Sequence, residues 1–170
     1  MAVLEIVKYP EKILREKTCL VEDIDADTQI LIDNMIETMY SAHGVGLAAN
    51  QVGISKRLCV IDVSSQEEQL PLLIIINPRI IQTDGIKEAE EGCLSIPGYM
   101  SKVKRAEKVF VKGLNRKGDP VEIEAEGLLA KAIQHEIDHL EGLLFIDRMS
   151  PLKREFFKRR YKKSLKSAGK

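Results

Sequence analysis

The segment Gln134-His-Glu-Ile-Asp-His139 constrains this chain more than any other stretch in it. Residues four apart lie one above the other on a helix, so His135 and His139 can present both imidazoles to one point. Two imidazoles and a carboxylate are costly to bury without a partner, and a metal ion is a partner that suits them. Glu136, next to the first histidine, is then within reach of a water at that metal and can act as its base. The apolar residues around these three, from Leu128 through Ile133 and Ile137 to Leu140, go most of the way round the predicted helix over Gly127–Glu141. A helix apolar on nearly every side belongs at the centre of a fold.

The chain around it is of ordinary size, 170 residues with 44% hydrophobic and 31% charged. That balance fits one globular domain and excludes a disordered chain, a collagen-like fibre and a disulfide-dense mini-protein. No stretch approaches the roughly 20 apolar residues needed to cross a bilayer. The N-terminal residues carry Glu5, Lys8 and Glu11 and no apolar run of signal-peptide length, which leads to the expectation of a cytoplasmic protein without a membrane role. Three cysteines, Cys19, Cys59 and Cys93, do not suggest a disulfide framework.

A first helix is predicted from Asp25 to Ala42, with Asp25 or Asp27 as cap and Leu31, Met35, Ile36 and Met39 as its apolar stripe. Strands are predicted over Arg57–Val63, Leu72–Ile81 and Val103–Leu114. The turn Asn115-Arg-Lys-Gly-Asp119 joins the last of these to Pro120–Ala125 as a hairpin. Ser150-Pro151 opens a third helix. Strands and helices do not alternate regularly, so the fold class expected is α+β, with mixed or antiparallel sheets packed around the central helix and a C-terminal helix. Residues 1–150 are expected to form one catalytic domain, and residues 151–170 a basic helix belonging to it.

A catalytic metal of this kind needs a third protein ligand. The extended His-Glu-x-x-His-x-x-Gly-x-x-His pattern fails, because Phe145 stands at its last position. Of the downstream acids, Glu141 is too close, Asp147 follows an apolar loop and Glu155 sits in the basic helix. Cys93 is the better candidate: a thiolate is a strong ligand, and Gly92 beside it leaves room for close approach. A third segment, Gly44-Val-Gly-Leu-Ala-Ala-Asn-Gln51, carries little side-chain bulk, so its backbone can approach a ligand, and Gln51 can offer an amide N–H to a developing oxyanion.

Together the three segments resemble the peptide deformylase family. Its motifs are Gly-Φ-Gly-Φ-Ala-Ala-x-Gln, Glu-Gly-Cys-Φ-Ser and Gln-His-Glu-x-Asp-His, where Φ is apolar. This chain has Gly44–Gln51, Glu91–Ser95 and Gln134–His139, matching at every fixed position and in the same order. The resemblance implies hydrolysis of the N-formyl group from the formyl-methionine of nascent polypeptides, with release of formate. By motif position it implies Cys93, His135 and His139 as ligands of one divalent metal. Ferrous iron is the favoured ion, with zinc, nickel or cobalt as alternatives. Glu136 would move the proton, and Gln51 with the Leu94 N–H would hold the oxyanion. Gly46 and Gly92 would pair with the substrate backbone, and Val45, Leu128 and Ala132 would line the methionine pocket. Glu91 would brace the cysteine segment through Arg105. An arginine that some members carry shortly after the cysteine motif has no counterpart in Ile96-Pro-Gly-Tyr-Met100.

Charge adds a further expectation. Residues 151–170 hold nine Lys/Arg against Glu155 alone, a net +8, and the rest of the chain is at −8. Such a block suits a phosphate-rich partner, here the ribosome. Phe156, Phe157 and Tyr161 have the spacing of a face packed on the body. A monomer is expected from the resemblance. Two other readings remain open on the residues alone: a zinc-dependent peptidase, and a non-catalytic module with a structural metal.

Overall fold

The computed structural model describes residues 1–67 and 70–168. Of the basic tail, residues 169 and 170 lie outside the described residues. The first helix, α1, runs Ala26–Ser41, and Asp25 caps it by accepting from the Thr28 N–H. The short strand β1, Gly46–Ala48, follows, then a 3-10 turn over Ala49–Val52. Strands β2 (Leu58–Ile61), β3 (Leu73–Asp84), β4 (Lys87–Cys93), β5 (Ile96–Arg105), β6 (Lys108–Leu114) and β7 (Pro120–Glu126) come next. Helix α2 covers Gly127–Leu140 and helix α3 covers Pro151–Ala168.

The strands form a five-stranded antiparallel sheet in the order β1-β2-β3-β6-β7 and a separate hairpin of β4 and β5. The α+β expectation holds. One strand assignment needs correction: Val103–Leu114 is not continuous. It breaks at Ala106 and Glu107, so Val103–Arg105 end the β4–β5 hairpin while Lys108 starts a strand of the larger sheet. Strand β4, Lys-Glu-Ala-Glu-Glu-Gly-Cys, was not expected at all, because it carries almost no apolar residues.

Both faces of the larger sheet are covered, which explains the unbroken apolar run of β2. Cys59 and Ile61 face α2 and pack with Ile133 and Ile137; Leu58 and Val60 face α1 and pack with Ile32, Met35 and Met39. Ten of the 14 residues of α2 are buried, as its apolar circumference predicts. Removing such a side chain, for example Ile133→Ala, costs about 2–5 kcal/mol. Gly142 ends this helix region with φ +81, and a Cβ there would lie 2.6 Å from the Arg15 carbonyl oxygen. The chain can therefore turn closely under its N-terminal segment only with glycine at that position.

A third apolar cluster joins Leu14, Ile96, Phe145 and the helix α3 residues Phe157 and Tyr161. The Tyr161 hydroxyl donates to the Tyr9 carbonyl at 2.6 Å. Phe156 departs from the expectation, since it is 59% exposed. Successive residues on a helix point about 100° apart, so Phe156 cannot share the packed face of Phe157.

Candidate metal centre

Helix α2 supplies His135, Glu136 and His139, and the C-terminal end of β4 supplies Cys93. One ligand atom from each of Cys93, His135 and His139 lies within 4.8 Å of the other two. Cys93 Sγ is 3.2 Å from His139 Nε2, which is 3.2 Å from His135 Nε2. His135 Nδ1 lies 2.9 Å from Glu91 Oε1. An ionised Glu91 can only accept, so Nδ1 carries a proton, and in the neutral ring Nε2 is the bare nitrogen facing the cluster.

This arrangement calls for a cation. A sulfur and two ring nitrogens aimed at one point repel each other unless a proton or a metal ion lies between them. Burial works against a proton on His135, yet Glu136, Cys93 and Glu91 together hold its pKa well above the usual value. His139 is shifted the other way, by burial and then by His135 and Arg105, and so stays neutral as a ligand must. One thiol and two imidazoles suit a borderline divalent ion such as iron, zinc, cobalt or nickel.

Glu136 sits beside this cluster in a dry setting. Burial pushes its carboxyl up to about 7, against the opposing pull of His135. Its Oε1 is buried without a hydrogen-bond partner. Buried polar atoms are rarely left unpaired, which sets this oxygen apart from the rest of the interior.

A charged network braces the ligands. Glu91 receives Arg105 Nε and Nη2, each at 2.8 Å. Arg105 Nη1 also bonds Asp138, which Arg148 holds from the other side through Nε at 3.0 Å and Nη2 at 2.8 Å. Burial alone would raise the Glu91 pKa, but its bonds to Arg105 and His135 bring it down to about 2. The expected Glu91–Arg105 pair is present. Its extension to His135 on one side, and through Asp138 to Arg148 on the other, was not foreseen.

Gln51 is oriented by its neighbours. The Ala48 N–H donates to Gln51 Oε1 at 3.0 Å, so Nε2 faces Ser95 Oγ at 3.1 Å and Cys93 Sγ at 3.5 Å. The Ser95 N–H points at the same sulfur from 3.4 Å. The N-terminal segment clips these pieces together: Val7 N–H donates to the Gln51 carbonyl at 2.7 Å and Tyr9 N–H to the Ser95 carbonyl at 2.8 Å. Lys8 Nζ donates to the Leu94 carbonyl at 3.2 Å. No local sequence signal marked Lys8, since its place depends on a contact 86 residues away.

The cluster opens into a cleft of about 680 Å³. Val45, Gly46, Gln51, Gly92, Cys93 and Leu94 line it on one side. Leu128, Ala132, His135 and Glu136 line it from α2, while His139 lies fully buried behind them. Every site residue singled out in the sequence thus meets in one place. Lys131 also lines the cleft, but its Nζ is bonded to the Glu90 carbonyl at 3.1 Å. His43 stands at the edge of the same cleft with φ 57, between α1 and β1.

The inward-facing donors, the unpaired carboxylate and the open cleft define a metal-dependent hydrolase of the His-Glu-x-x-His class. Comparison with known proteins narrows that class. Residues 3–155 match the family model for polypeptide deformylase. The chain is 56% identical over 162 residues to the peptide deformylase of Thermodesulfovibrio yellowstonii, covering 95% of this chain and 98% of the other. A crystal structure of a peptide deformylase from Legionella pneumophila superposes with a TM-score of 0.90 at 48% identity, covering 99% of both chains. One from Ehrlichia chaffeensis, in complex with actinonin, gives a TM-score of 0.89 at 40% identity, covering 96% of this chain and 98% of that one. The chain belongs to the polypeptide deformylase family, hydrolases that remove the N-formyl group from nascent polypeptides. That decides between the deformylase and peptidase readings in favour of the first.

Proposed function

We propose that Cys93, His135 and His139 hold one divalent metal ion, ferrous iron in the working enzyme, and that Glu136, Gln51 and Leu94 carry out deformylation beside it. The observation that carries this reading is the buried, unpaired Glu136 Oε1 next to three converging ligand atoms. Zinc, nickel and cobalt are ions the same donor set accepts. When bound, the metal supplies Lewis acidity to water and to the formyl carbonyl.

The chain's own residues do the rest. The formyl-methionine side chain enters the pocket of Val45, Leu128 and Ala132, while the backbones at Gly46 and Gly92 pair with the extended substrate. Glu136 accepts a proton at Oε1 from the attacking water and passes it to the departing amine nitrogen. Its raised pKa suits both halves of that task. Gln51 Nε2 and the Leu94 N–H donate to the oxygen of the tetrahedral intermediate, where negative charge gathers only as the reaction proceeds. Lys8, bonded to the carbonyl of Leu94, helps hold that residue in place.

Residues 1–150 are assigned as the catalytic unit and residues 151–170 as its basic tail, with helix α3 packed on the body through Phe157 and Tyr161. The exposed Lys158, Arg159, Lys162 and Lys163 are assigned to contact with the ribosome, as their charge suits phosphate. We assign a cytoplasmic monomer, acting where nascent chains emerge. Among the described residues no helix is long and apolar enough to cross a membrane.

The decisive experiment measures formate release from a short formyl-methionyl peptide. Metal-stripped protein is reloaded anaerobically with ferrous iron, nickel or zinc, with Glu136→Ala alongside. Metal-dependent release that the substitution abolishes supports the assignment. Full release by the Glu136→Ala protein would refute it.

A further inference from the structure

Beyond the cleft lies a second depression that the proposed chemistry does not use. It is a groove of about 190 Å³ between β5 and α3. Phe145, Met149 and Phe157 form its apolar floor, Tyr99, Met100 and Phe156 its walls, and Lys153 and Arg160 its basic rim. Two of its wall residues are large apolar side chains left open to solvent: Met100 is 64% exposed and Phe156 59%. Phe156 is the more telling, since it stands on a helix whose other outward positions are mostly charged. An exposed aromatic beside an exposed methionine marks a contact surface rather than a solubilising one.

The groove adjoins the cleft, with two side chains between them. Tyr99 and Met100 line both. Met100 is also the cross-strand partner of Gly92. Its Sδ lies where a side chain on Gly92 would have to go, 2.5 Å from an ideal Cβ. A peptide pairing with Gly92 takes the edge of β4 that β5 leaves free, and the Met100 thioether, lying over Gly92, faces both the cleft and the groove. We infer that this groove is a downstream subsite of the enzyme, taking an apolar side chain of the nascent polypeptide from about the fourth residue onward. The basic rim adds a preference for an acidic neighbour, because Lys153 and Arg160 line the groove beside its apolar residues. The inference rests on the reading that the adjoining cleft takes formyl-methionyl chains.

The test compares a formyl-Met-Ala-Ser tripeptide with formyl-Met nonapeptides on the metal-loaded enzyme. Serine fills the nonapeptides except for one leucine, moved through positions four to seven. One leucine position should lower KM about fivefold against the all-serine nonapeptide, with kcat unchanged. An aspartate next to that leucine should lower KM further, and a lysine there should raise it. In Phe156→Ser the leucine advantage should fall to about onefold; Phe156→Leu should keep most of it. A flat scan in an enzyme that turns over the tripeptide overturns the subsite, as does a leucine advantage that survives Phe156→Ser. A flat scan in which Phe156→Ser weakens ribosome binding assigns the groove to the ribosome, and one in which it dissolves a dimer assigns it to a second copy. Both outcomes overturn the proposal. Failure on the tripeptide itself removes the deformylase assignment of the cleft, and the subsite falls with it.

Discussion

Gly46 and Glu136 touch without any side chain on the glycine: an ideal Cβ at Gly46 would stand 2.5 Å from Glu136 Oε2 and 2.9 Å from its Cδ. Strand β1 thus forms the wall against which the carboxylate rests, and only glycine leaves it room. Gly46→Ala should push the carboxyl aside and lower kcat by about 10²-fold, the usual cost of misplacing a reacting group by an ångström. Circular dichroism should remain that of the parent protein. A kcat within twofold of the parent would remove Gly46 from this role.

Arg105 is the only cation bonding both Glu91 and Asp138 among the described residues. Arg105→Met should strand the Glu91 charge in the interior and cost about 3–5 kcal/mol, read from denaturant unfolding. Asp138 retains Arg148, so the loss falls mainly on Glu91 and hence on the orientation of His135. Metal should leave this variant faster than the parent in a chelator competition. Parent-like stability and metal release would show the network to be idle.

Metal removal by a chelator should abolish formate release yet leave the secondary structure standing, because the two apolar clusters on either face of the larger sheet do not depend on the ligands. Only the native state presents the three ligands together, so saturating metal should raise Tm by about 5–10 °C over the stripped protein. Differential scanning calorimetry with and without metal measures this directly. An unchanged Tm would argue against the site.

The basic helix can be tested without removing it. Deleting residues 151–170 would also strip Phe157 and Tyr161 from their cluster, and so would confuse docking with folding. Changing the exposed Lys158, Arg159, Lys162 and Lys163 to glutamate avoids this. Ribosome binding should weaken and its dependence on salt should flatten, while turnover of a tripeptide stays near the parent value. Unaltered ribosome binding at low salt would exclude these residues from that contact.

Much of the site was legible because its parts are local. His135, Glu136 and His139 sit on one helix, whose period can be read directly, and Gly92 and Cys93 are neighbours in the chain. The β4 strand was invisible for a physical reason: its only well-buried residue, Glu91, is acidic, and it is held inside by Arg105 rather than by the hydrophobic effect. The split at Ala106 and Glu107 was hidden for the opposite reason, since apolar residues on both sides read as one run although they serve different sheets. Lys8 and the Asp138–Arg148 pair act through tertiary contacts, which no spacing rule encodes.

The bond between Glu91 and His135 bears on attempts to move this centre into another scaffold. A grafted His-Glu-x-x-His helix would bring two imidazoles and a carboxylate but not the distant hairpin that fixes which ring nitrogen is bare. The transferable unit is two pieces of chain 44 positions apart, with the arginine that anchors one to the other. A designer who copies only the helix should expect histidines free to rotate, in either tautomer, and a weak, unselective metal site.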